Sequence, residues 1–163
     1  MKKGALLFLL VAVFLVMMPV KIRAEEAERD RITETPEHRH GVELFLGNTH
    51  DDGENGFSIG FTYEYRLNEL FGIGGLIEYA GKDFREWVLA APFFLHPYEG
   101  WRFLVAPGID IEDEDGDNNF LLRVGAAYEF EIAERWSLTP EFNVDFVDGD
   151  EVFVYGFSFG YGF

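Results

Sequence analysis

Ten ionisable side chains stand at alternate positions in segments whose intervening positions are apolar. Glu43, Glu64, Glu78, Glu129, Glu131, Glu141 and Asp145 are the acids; Arg66, Arg102 and Arg123 are the bases. In an extended strand alternate residues share a face, so each charge points away from its apolar neighbours. If the polar face encloses a space, its charges must be paired or hydrated, because an isolated buried ion is strongly unfavourable. Two chemistries follow. One is a plug of mutual salt bridges among Glu43, Glu64, Arg66, Glu78, Arg102, Arg123, Glu129, Glu141 and Asp145. The other is a narrow polar path for small ions or solutes, in which the acidic excess favours cations.

Two further sets of residues could do chemistry. Asp51, Asp52 and Glu54, then Asp113, Glu114, Asp115 and Asp117, then Asp148, Asp150 and Glu151 crowd short Gly-containing connections, where hard divalent cations find oxygen ligands. Asn118 stands where an EF-hand loop needs glycine, so loosely held divalent cations are expected there and no specific metal site. His50, Ser58 and either Glu78 or Asp145 supply the residue types of a lipid-modifying enzyme, but no motif ties them together and no catalytic residue is expected. His38, His40 and His96 cluster toward the opposite end, again without metal-ligand spacing. With no cysteine the chain has no thiol nucleophile or thiolate site, and no cofactor is implied.

The elements that must position these groups are strands. At the end of the chain Phe153, Tyr155, Phe157, Phe159, Tyr161 and Phe163 alternate with Val152, Val154, Gly156, Ser158, Gly160 and Gly162, leaving one face wholly aromatic and the other small. Period-two alternation recurs upstream, and eight such segments predict eight antiparallel strands between residues 40 and 163. Trp87 to His96 is apolar on both faces, and a bulge is expected near Pro92. Pro107 and Pro140 also fall in strand positions, each removing a ladder donor. The first, third, fifth and seventh connections are acidic and Gly-rich, the first running from Asn48 to Gly56. The others are tight and flanked by Phe71, Trp101 and Trp136, residues suited to an interfacial girdle.

Lys2 and Lys3, the apolar run from Ala5 to Val20, and Ala24 before Glu25-Glu26 have the layout of a secretory signal over residues 1–24. Residues 25–39 read as a flexible polar leader. Removing the signal takes away four basic and no acidic residues, moving the formal net charge from −17 to −21, which argues against nucleic-acid binding. No later apolar run is long enough for a spanning helix, whereas a barrel strand needs only about 9 to 11 residues. A soluble eight-stranded barrel would have to hold the aromatic face in a lumen just wide enough for ordinary side chains. Turned outward, the same face forms a lipid-contacting band.

The ending Tyr155-Gly156-Phe157-Ser158-Phe159-Gly160-Tyr161-Gly162-Phe163 resembles the closing strand of outer-membrane β-barrel proteins. The plan from His40 to Phe163 resembles the small eight-stranded barrels of the OmpA and OmpX type. The resemblance implies an all-β, up-and-down transmembrane barrel in the bacterial outer membrane, in contact with its lipids. It also implies that Phe157, Phe159, Tyr161 and Phe163 are read by the barrel-assembly machinery. Short connections set this chain apart from relatives with long adhesive loops. The resulting expectation is a non-enzymatic barrel with a plugged lumen and a structural or surface-interaction role. A narrow channel is the first alternative and a lipid-modifying enzyme the second.

Overall fold

A computed structural model describes residues 38–51, 53–82, 84–112 and 118–163. The expected signal, and the leader up to residue 37, lie outside them. β1 (His40–Asp51), β2 (Glu54–Arg66) and β3 (Phe71–Ala80) are followed by β4, in two runs (Glu86–Ala90 and Phe93–Leu95), and by β5 (Trp101–Glu112). β6 also has two runs (Asn118–Tyr128 and Phe130–Ala133), and β7 (Trp136–Val147) and β8 (Asp150–Gly162) complete the chain. Each strand pairs antiparallel with the next, and β8 pairs with β1, so the sheet closes with eight strands. Backbone bonds between His40 and Phe163, at 2.8 and 3.1 Å, fasten the seam at the termini.

Register fixes the diameter. A path from His40 through Tyr65, Ile73, Phe93, Val105, Val124, Val144 and Phe153 returns to β1 at His50, ten residues further along. With eight strands that stagger implies a tilt of roughly 40° and a lumen that side chains can fill. The seventh connection is a two-residue turn with Asp148 at φ 50° and Gly149 at φ 95°, the backbone that Asp-Gly supplies between twisted strands. The first connection is shorter than the sequence suggested, because β1 and β2 stay paired out to Asp51 and Glu54.

The expected bulge at Pro92 is absent. Both runs of β4 keep one constant register against β3 and against β5, so no residue is inserted. Pro92 and Pro107 still accept, from Gly74 N and Ala91 N at 2.9 Å each, and each lacks only the return donor. Pro140 likewise interrupts the β6–β7 ladder without shifting its register against β8.

The two faces of the wall differ as the alternation demands. Outward stand Phe57, Phe61, Phe93, Phe120, Phe142 and Phe157, each at least 47% exposed on the isolated chain. Water would not tolerate a band of this extent on a monomer, and hydrocarbon does. Aromatics gather at the tight-turn end: Trp101 lies 5.3 Å from Tyr128 and Trp136 4.9 Å from Tyr161, while Arg39 and Arg135 reach the Tyr65 and Tyr161 hydroxyls at 3.4 Å. At the other end Tyr79 packs on Trp87 at 4.9 Å. Inward on the described strands, two aromatics do fit. Phe94 packs with Leu104 and Ala106, and Phe45 lies over Gly47 and Gly156, where side chains would collide with it.

That packing yields a paired prediction. A Cβ on Gly156 would sit 2.6 Å from Gly47 Cα and 2.8 Å from the Phe45 ring, so Gly156→Ala should destabilise the barrel by about 1–3 kcal/mol. Gly75 has open space around its missing Cβ, so Gly75→Ala should leave the denaturant midpoint unchanged or slightly raised. Urea unfolding in detergent micelles would read both.

Candidate functional site

The inward charges form two networks at different depths. In the outer one, Arg123 on β6 lies directly opposite Asp145 on β7, while Glu78 reaches it from β3 across the lumen. Arg123 Nε and Nη2 each donate to an Asp145 oxygen at 2.7 Å. Its Nη1 and Nη2 donate to the two Glu78 oxygens at 2.8 and 3.0 Å. All three residues are no more than 3% exposed. Bidentate pairing to two carboxylates occupies four of the five guanidinium hydrogens, which is what makes so buried a cation tolerable.

The inner network lies toward the tight turns. Arg102 on β5 donates through both terminal nitrogens to Glu43 on β1, with Nη2–Oε2 at 2.8 Å, and its guanidinium sits 5.4 Å from the centre of the Phe94 ring. Arg66 on β2 donates to Glu129 Oε2 and to His96 Nδ1, both at 3.3 Å, and its Nε lies 3.8 Å from Glu64. Because Arg66 can only donate, His96 Nδ1 is assigned as acceptor, and Nε2 carries the proton given to Glu64 at 2.8 Å. Glu141 accepts from the Ser158 hydroxyl and, at 3.5 Å, from Asn143. Glu43, Glu64, Arg66, His96, Arg102 and Glu129 line an open vestibule of about 930 Å³ at the end of the barrel that holds the termini.

All nine residues expected in the lumen lie on the inner face, and eight of them join these ion pairs; Glu141 is held by neutral donors. Glu131 shares their parity but stands exposed at the vestibule rim. The sequence reading missed His96, because a segment apolar on both faces gave no parity, yet counting by two from Val88 through Phe94 would have turned it inward. It also passed over Glu86, Asp110 and Glu112, which face the lumen beyond Arg123.

The set expected for a lipid-modifying enzyme is not assembled. His50 and Ser58 lie on opposite faces of the wall. Ser58 Oγ is bonded to Thr49 Oγ1 at 2.6 Å, His50 Nδ1 meets Asn55 at 2.9 Å, and Arg123 occupies Glu78 and Asp145. Among the described residues no three acids or histidines are placed to hold a metal directly.

Removing one member of the outer network should cost more than removing the whole. Arg123→Ala leaves Glu78 and Asp145 buried without a counter-charge, and should lower unfolding stability by about 3–5 kcal/mol. Adding Glu78→Gln and Asp145→Asn to it should recover a large part of that loss. Equal stability of the single and triple variants in urea would show that the network is not closed as described.

No protein-family model and no curated protein matches the chain. Solved structures do. The Yersinia pestis attachment invasion locus protein Ail superposes with a TM-score of 0.57 at 14% identity, over 78% of this chain and all of that one. A de novo designed transmembrane β-barrel gives 0.54 at 11% identity, over 80% of this chain and 100% of that one. Ail in complex with the heparin analogue sucrose octasulfate gives 0.51 at 15%, over 76% and 96% of the two chains. Such identities carry the fold and no activity: the chain has the closed eight-stranded β-barrel fold of the small outer-membrane barrels that its closing strand resembles.

Proposed function

We propose that this protein is a non-enzymatic, non-conducting barrel of the outer membrane, acting through its lipid-facing wall and exposed rim. The observation that carries the reading is the outer network. Arg123 is held by Asp145 from the neighbouring strand and by Glu78 from across the lumen, each buried, so a side-chain bridge spans the interior from wall to wall. Below it Phe94, Leu104 and Ala106 fill the interior with apolar atoms. The outward aromatics of β8, Phe157, Phe159 and Tyr161, and Phe163 just after it, remain free of the interior for recognition by the assembly machinery and then for contact with lipid.

One observation favours the alternative of a narrow cation path. Arg102 Nε, Thr139 Oγ1 and Asn143 Oδ1 are buried without a protein hydrogen-bond partner, and such atoms call for water inside the lumen. Planar-bilayer recording of the refolded chain separates the two readings. A sealed barrel gives no steps in the wild type, and discrete steps when Arg123→Ala and Glu78→Ala are combined. Cation-selective steps in the wild type, altered by Arg102→Ala, would replace the sealed barrel with a conduit.

A further inference from the structure

Charge does not balance in the outer half of the lumen. From β3 to β7 five inward carboxylates, Glu78, Glu86, Asp110, Glu112 and Asp145, share that space with one inward guanidinium, Arg123. Arg123 is already spent on Glu78 and Asp145, which leaves that trio with one negative charge of its own. The remaining three carboxylates come together through the register of two strands. Glu86 on β4 stands directly opposite Glu112 on β5, on the same inward face, and Asp110 is the diagonal neighbour two residues along. Like charges directly opposite in a sheet repel, so this register needs a compensating positive charge.

A second observation marks where that charge sits. Asp110 is only 4% exposed, yet its Oδ1 has no hydrogen-bond partner. Asn119, the register partner of Asp110 on β6, donates to Glu112 at 3.4 Å and adds an amide oxygen to the same rim. Buried carboxylate oxygens left bare are strongly disfavoured, whereas oxygens from two carboxylates and an amide suit a hard cation.

We propose that the outer mouth of the lumen binds one hydrated divalent cation, Mg²⁺ or Ca²⁺, between Asp110, Glu86 and Glu112. Because no three acids are placed for direct ligation, water from the cation's own shell bridges part of the distance, as Mg²⁺ commonly requires. The cation sits inside the wall, and its charge offsets the excess that Arg123 leaves. This site differs from loose screening at the loops, where Glu54, Asp148, Asp150 and Glu151 are solvated and exposed. It requires the closed barrel and is indifferent to whether the lumen conducts.

The test is thermal unfolding of the refolded full chain in detergent micelles, with MgCl₂ or with EDTA at matched ionic strength. Wild type should gain a saturable rise in its midpoint with Mg²⁺. Asp110→Asn should need roughly tenfold more Mg²⁺ for the same rise, and in EDTA should melt above wild type, having lost an uncompensated carboxylate. Asp150→Asn, at the exposed turn, should respond as wild type does. Mn²⁺ should broaden the methyl signals of Val88 and Leu121 more than those of Val42. If Asp110→Asn fails to refold, Glu112→Gln serves in its place. An equal Mg²⁺ response in wild type and the variant, or no response in wild type, overturns the site.

Discussion

Hydrocarbon offers no partner for a backbone N–H or C=O, so a sheet that crosses it cannot have an edge. Everything else in this molecule follows from how β8 returns to β1. Ten residues of stagger over eight strands set the tilt and leave a lumen one side chain across. The three strand prolines are tolerable in that wall because each deletes a single donor while the register persists, and the Pro92 and Pro107 carbonyls still accept. An inserted residue at any of them would have turned the following strand inside out.

A lumen so narrow sorts residues by size as well as polarity. Most rings go outward, and the two strand phenylalanines that go inward are accommodated locally: Phe45 over a pair of glycines, Phe94 beside Ala106 and under the Arg102 guanidinium. The inward guanidiniums enter where carboxylates on other strands can meet them. Arg123 draws Asp145 from the neighbouring strand and Glu78 from across the barrel, so the pairing ties together strands that share no ladder. The inner network does the same for β1 with β5 and for β2 with β4. Interior electrostatics therefore reinforces the closure that backbone pairing begins.

Much of this was legible in the sequence because period two is a direct imprint of a wall with two environments. The aromatic ladder of β8 and the polar positions of β6 and β7 gave the faces, and the charged residues of the network came with them. Partners were not legible, since Arg123 meets Glu78 across a space that only the stagger defines. The weak point was β4. Its residues are apolar on both faces because the inward ones pack on Phe94 and its neighbours, so parity vanished, and with it the inward position of His96. Glu86 was hidden for a different reason: it stands at a strand start beside Gly81 and Lys82, where composition reads as a turn.

All three tryptophans of the chain, Trp87, Trp101 and Trp136, stand on the outer wall, at least 40% exposed and near its two ends. Their fluorescence in bilayers of brominated lipid tests most directly whether the aromatic face meets lipid. Strong quenching by acyl-chain bromines, with little quenching by aqueous iodide, is the expected result. Emission untouched by the bromines would mean that these rings are shielded from lipid, and would contradict the barrel's orientation in the membrane.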